Sequence, residues 1–276
     1  MASIDMRERT MRNRRCAIGG LALLATLSLT VAGCAQRPRA ADRTESSPTP
    51  ASPKDVLLST SLSELRTTTH KYTMKDVDST QEGVVDPKAR KASLTLHYTN
   101  VARGNEATLT LLSIQDDAWM KVDLRLLGGK TDVPALPKQW MRLDKTKLQN
   151  SHEFQLDNVE PVGAGEVFEA IVTAEAAGER RYRGTVDLNR ATDSKLVDYE
   201  HVRAMGDKAT SVPFEATVDE KNRLVSLKLD APAAGTFKAT TWQVTYLDYG
   251  VAASLDPPAA NEVVPAPPVV YELFNS

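Results

Sequence analysis

Four histidines, His70, His97, His152 and His201, are the residues of this chain best suited to hold a metal. They are scattered, and none has a second His at helical spacing to complete a ligand pair. Each therefore reads as a surface or strand residue. Asp116-Asp117, Asp157 and Glu160 come nearest to the carboxylate pair of glycoside chemistry. Turn and helix-cap roles account for them, because such side chains accept from free backbone N–H groups. No Gly-x-Ser-x-Gly provides a serine elbow. Gly163-Ala164-Gly165 lacks the further glycine and the strand-to-helix setting of a dinucleotide site. Trp119, Trp140 and Trp242 would suit sugar stacking, but packing in a core or at its rim explains them too. The expectation is a protein without catalysis, cofactor or metal.

Cys34 has the more telling surroundings. Arg7, Arg9, Arg12, Arg14 and Arg15 precede eighteen uncharged residues, Cys16 to Gly33. A basic start, a short apolar run and small residues at its end describe a secretory leader. The run is at the short edge for a bilayer span and holds three glycines and several Ser/Thr. Its close, Val31-Ala32-Gly33-Cys34, resembles the lipobox of bacterial lipoproteins. The resemblance implies thioether lipidation of Cys34, cleavage before it and acylation of the new N-terminus. It places the protein on the extracytoplasmic side of the cell membrane, held by lipid. Arg14-Arg15 leaves both general and twin-arginine export open.

Removing residues 1–33 leaves 243, enough for one fair-sized domain that needs no disulfide for its core. None is available: Cys16 departs with the leader and Cys34 is the lipidated residue. The whole chain carries 34 basic and 36 acidic residues, net −2. Five basic and two acidic residues leave with the leader, so 29 face 34 in the remainder, net −5. A mildly acidic domain without a basic block is a poor partner for nucleic acid or for an anionic membrane. Membrane contact falls to the lipid on Cys34.

The elements follow in order. Residues 34–53 are a Pro-, Ser- and Ala-rich tether with too little apolar surface to fold. The domain spans 54–276. Lys54 to Arg66 reads as a helix with Leu58, Leu62 and Leu65 on one face, capped by Ser52 with Pro53 behind it. His70 to Asp78 starts a β region. In Lys91 to Tyr98, Ala92, Leu94, Leu96 and Tyr98 share one face. Glu106 to Ile114 and Ala118 to Leu124 alternate likewise, with a turn at Asp116-Asp117 and a phase slip at Leu111-Leu112 that suggests a bulge. Asp144 caps a brief helix at Lys145 to Leu148. Gly165 to Ala177 and Asp193 to Met205 read as helices. Arg181 to Leu188, Val212 to Val218, Leu224 to Leu229 and Phe237 to Tyr249 read as strands. From Pro257 the chain runs over the surface. With no βαβ alternation, the order indicates an α+β fold: a single antiparallel sheet with helices on one face.

Several stretches of the second half are shared with a known group. They are Trp140-Met141-Arg142-Leu143-Asp144, Tyr182 to Asp187, Val212 to Asp219 with Arg223-Leu224, Thr245 to Gly250, and Asp256-Pro257-Pro258-Ala259. With the lipobox and first helix, residues 54–265 resemble the LppX/LprG-type lipoproteins of actinobacteria, which are related in fold to the lipoprotein carrier LolA. The resemblance implies a strongly curved half-barrel, helices covering its concave face, and an apolar cavity between them that binds lipid or glycolipid. Some members move that cargo towards the outer envelope; no motif here names a transporter partner. The stretch between Trp140 and Tyr182 is only loosely similar. The cavity residues so assigned are Leu94, Leu96, Leu109, Leu111, Met120 and Val122 on the sheet, Val167 and Ile171 on a helix, and Phe214. The competing expectation is a structural or regulatory envelope protein whose sheet meets a protein partner.

Overall fold

Strand alternation between apolar and polar residues builds the framework. The computed structural model describes residues 51–76, 79–100, 105–126, 136–148 and 160–275. The leader, Cys34, most of the tether, His152 and Asp157 lie outside them. Three long strands, β3 (Lys91–Asn100), β4 (Asn105–Ile114) and β5 (Asp117–Leu126), pair antiparallel in continuous register. They are preceded by β1 (His70–Lys75) and β2 (Ser79–Asp86) and followed by short β6 (Trp140–Arg142). A second meander holds β7 (Ile171–Ala176), β8 (Arg181–Val186), β9 (Val212–Val218), β10 (Leu224–Ala231) and β11 (Thr240–Leu247). Strand β1 joins the meanders by pairing with both β2 and β11. Strand β12 (Val263–Pro265) adds to β6 in parallel. The result is one unclosed, curved sheet of 12 strands in an α+β fold.

The helices are few and short. Pro53–Val56 (α1) and Leu62–Thr67 (α2) flank a π-turn at Leu57–Ser61. Ser52 caps this segment and exchanges hydrogen bonds with Asp55, with Pro53 in the first helical position. The extra residue of the π-turn shifts the helical phase. Leu57, Leu62 and Leu65 are therefore the buried face, and Leu58 is only half-buried. Helix α3 is Ala164–Glu169, α4 is Tyr199–Met205 and α5 is Pro268–Phe274.

Four sequence expectations need correction. The helix expected over Gly165 to Ala177 ends at Glu169, and the β-branched run Ile171-Val172-Thr173 continues as edge strand β7. The second expected helix forms only from Tyr199, where Asp198 caps it by accepting from His201 N–H. No bulge interrupts Leu111-Leu112, because Leu112 has its own cover on the outer face: Trp119 and Leu255. The segment beyond Pro257 does more than run over the surface, since it contributes β12 and α5, with Val270 fully buried.

The two faces differ in chemistry. One outer row reads Thr217, Ser226, Thr245, Thr73, Glu82, Thr95, Thr110 and Lys121 across eight strands. Polar β-branched residues keep such a surface soluble while favouring extended backbone. Opposite it, one core runs under the whole sheet, joining Leu227, Trp242 and Val244 to Leu57, Leu65, Val167 and Phe168 of the helix layer.

Candidate functional site

Register alone assembles the inner face. One inner row runs Tyr246, Tyr72, Gly83, Leu94, Leu111, Met120 and Met141, from β11 through β6. The next runs Val244, Met74, Gln81, Leu96, Leu109 and Val122. On the other flank lie His70, Val85, Ala92, Ser113 and Ala118. Gly83 is dictated by its neighbour: a Cβ there would stand 2.2 Å from the Tyr72 ring, which lies across the glycine.

Cover over these rows is uneven. Val85, Ala92, Ser113 and Ala118 are buried. Leu111, Met120 and Met141 are buried too, while Leu94 between them is half-buried. Gln81, Leu96, Leu109 and Val122 are all half-buried. One step further out, Tyr98 and Leu124 are each 39% exposed. An apolar surface thus begins in the core and emerges towards solvent along β3, β4 and β5 without a charged residue in its rows.

The nine residues assigned from sequence divide accordingly. Leu94, Leu96, Leu109, Leu111, Met120 and Val122 form one patch across three strands. Val167 lies in α3 and is fully buried. Ile171 is buried as well, but it opens β7 rather than lying in a helix. Phe214 is in β9, in the row Gly184, Phe214, Leu229 and Trp242, away from that patch.

A polar group of residues was not foreseen. His70 and Tyr246 are buried to 0% and 2% exposure, with ring centroids 5.8 Å apart in an edge-on arrangement. His70 Nδ1–H donates to the Thr68 carbonyl at 2.9 Å. Burial holds the imidazole pKa below its usual value. Tyr72 OH accepts from Gln81 Nε2 at 2.8 Å, and burial raises its phenol to about 12. From the helix layer come Glu160, Glu166 and Arg66. Glu160 caps α3, accepting from Ala164 N–H and from Gly165 N–H at 3.0 Å, the cap role expected for it. Burial lifts its carboxyl to about 7, against the pull of those amides; the nearby Glu166 lifts it further and Arg66 opposes. Buried His70 Nε2 and Tyr246 OH have no hydrogen-bond partner, and neither has Glu166 Oε2, which lies on the side of Gly163 and Ser194. No spacing in the sequence could have announced them, since they arrive from three distant segments.

The remaining candidates are structural. His97 is exposed on β3. His201 is buried in α4, neither a surface nor a strand residue: its Nε2 is 2.9 Å from the Pro232 carbonyl and its ring stacks on Phe237. Trp242 is core, and Trp119 packs on the outer face with Trp140. Among the described residues no three His, Cys, Asp or Glu side chains gather as for a metal, and no helix is long and apolar enough to cross a membrane. A cleft of about 670 Å³ is lined by Lys208 and by Asp230, which pairs with Lys228, and a second of about 610 Å³ holds the pairs Arg142–Asp117 and Lys147–Asp144.

No family model matches the chain, and no curated protein matches it. Among solved structures it is similar to the dehydratase domain from the terminal module of the rifamycin polyketide synthase, at 12% identity. That likeness covers 69% of this chain and 81% of the other, with a TM-score of 0.22, too slight to carry an argument.

Proposed function

We propose that this chain is a lipoprotein of the extracytoplasmic membrane surface, anchored through Cys34, that binds lipid or glycolipid on its inner sheet face and catalyses no reaction. The observation that supports the reading is the graded exposure of one aliphatic surface. Met120 and Leu111 are covered, Leu96, Leu109 and Val122 are half-covered, and Leu124 is open. A closed core gives no reason for apolar rows to continue past their lid, whereas hydrocarbon sliding in along the strands gains about 25 cal/mol per Å² it buries. The α+β architecture of one curved sheet with helices on its inner face is also the architecture that the resemblance to LppX/LprG-type lipoproteins implies.

The test is uptake of a fluorescent acyl-chain probe by the purified full chain. Replacing half-exposed Leu96 and Val122 together by lysine puts two charges on the route at little cost to the core. The double variant is expected to bind the probe about 10-fold or more weakly, because burying an unpaired ammonium against hydrocarbon costs more than one hydrophobic contact returns. Its melting temperature is expected to stay within about 3 °C of the parent. A structural or regulatory envelope protein would take up no probe in either form, and equal uptake by both forms would place the lipid elsewhere.

A further inference from the structure

Apart from Ser113 on β4, the described rows of the inner face that run through β1 are apolar except where β1, β2 and β11 meet. There Tyr246 and Tyr72 sit directly opposite each other, Gln81 reaches Tyr72 OH, and His70 lies edge-on to Tyr246. Evolution of a plain core would place Leu or Phe at such positions, since a buried hydroxyl without a partner costs roughly 1–3 kcal/mol. Here two polar atoms, His70 Nε2 and Tyr246 OH, are held under cover without one.

Their chemistry is specific. His70 spends its only N–H on the Thr68 carbonyl, so Nε2 presents a bare lone pair. Tyr246 OH can both donate and accept. The complement to this pair is a group that offers one O–H donor to Nε2 and accepts one hydrogen bond from the phenol, which is an alcohol. A phosphate or carboxylate is the wrong partner, because it brings only acceptors and leaves the bare Nε2 lone pair without a donor. Glu160 and Glu166, when ionised, also oppose a negative charge at Tyr246. Arg66 lies on the Glu160 side: a methyl at Gly165 would stand 2.9 Å from Glu160 Oε2 and 3.2 Å from Arg66 Nη2. Gln81 links the group to the open patch, since it occupies the same inner row as Leu96, Leu109 and Val122.

We infer that Tyr246 and His70 form a hydroxyl-reading site on the inner face, which selects lipids carrying a free, uncharged alcohol over phosphorylated ones. The inference rests on the lipid-binding reading above and adds the class of polar group that the bound lipid presents.

Three lipids with the same oleoyl chains test it on the purified full chain by native mass spectrometry: dioleoylglycerol with its free hydroxyl, trioleoylglycerol with none, and dioleoyl phosphatidic acid. The parent is expected to prefer dioleoylglycerol by about 10-fold over either rival, the worth of one to two buried hydrogen bonds. Tyr246→Phe removes one oxygen atom and no carbon. It is expected to abolish most of that preference while leaving trioleoylglycerol binding and the melting temperature unchanged or slightly raised. Equal binding of all three lipids by the parent, or an equal loss for all three in Tyr246→Phe, would overturn the inference and leave lipid binding standing. Binding of none would overturn both.

Discussion

Gly184→Val is expected to lower the stability of the domain by about 3 kcal/mol, the upper end for overpacking, because backbone and not a side chain must move. Gly184 sits in β8 between Ala174 of β7 and Phe214 of β9. A Cβ at this position would stand 1.9 Å from the Thr173 carbonyl oxygen and 2.9 Å from Phe214 Cε1. The approach is that close because β7 slips its register between Ile171 and Thr173. The slip is held by Thr173 Oγ1, which accepts from Thr185 N–H at 3.1 Å. Any side chain at 184 must lever this edge strand away, and with it Ile171, whose carbonyl accepts from Lys54 of α1 at 2.8 Å. Thermal unfolding checks the prediction: a fall of roughly 6–12 °C is expected. Fast amide exchange confined to 171–176 would show that β7 is the part that gives way.

The second large effect is a pH dependence centred on Glu160. Its carboxyl is lifted from an ordinary 4.5 to about 7, chiefly by burial. A carboxyl that binds its proton more tightly folded than unfolded favours the folded state at low pH. Its contribution is complete below about 4.5, falls away as pH rises to about 7 and is constant above that. That lift is worth about 3 kcal/mol at most. His70 acts in the opposite direction: held neutral by burial, it costs stability as pH drops below its ordinary 6.5. Glu160→Gln separates the two. The amide oxygen keeps an acceptor for Gly165 N–H but cannot ionise. The variant is expected to melt roughly 5 °C higher than the parent at pH 8 and alongside it at pH 4.5. Parallel curves for parent and variant from pH 4.5 to pH 8 would show that Glu160 does not carry this dependence.

Much of the framework was legible in the sequence because it depends on local pattern. Strict alternation marks Ala92, Leu94 and Leu96, and Ala118, Met120 and Val122, as one face, and register then sets them side by side. Ser52-Pro53 announces the first helix, and Asp144 its 3₁₀ turn at Lys145–Lys147 by accepting from Thr146 N–H. What escaped depends on partners far along the chain. Strand β2, Ser79–Asp86, is mostly polar, and its inner position 83 is a glycine because the Tyr72 ring fills that space. Val167, Phe168, Ile171, Val172 and Ala174 fit a helical period. The chain nevertheless leaves the helix at Ala170, where a free edge of β8 pairs with Ile171–Ala176. Leu112 looked like a phase slip because nothing local says that Leu255, far along the chain, will cover it. The aliphatic part of the candidate site was visible from alternation. Its polar part, His70 and Tyr246, was not, since strands at the two ends of the domain must meet to form it.

The central claim is that an acyl chain lies on the inner face along β3, β4 and β5. The most direct measurement is methyl NMR of the isotopically labelled full chain with a diacylglycerol that carries a spin label on one acyl chain. Paramagnetic broadening is expected at the methyls of Leu94, Leu96, Leu109, Met120 and Val122, and is expected to spare Thr95, Thr110 and Thr245 on the outer face. Broadening that spares the inner methyls, or that falls equally on both faces, would contradict the account.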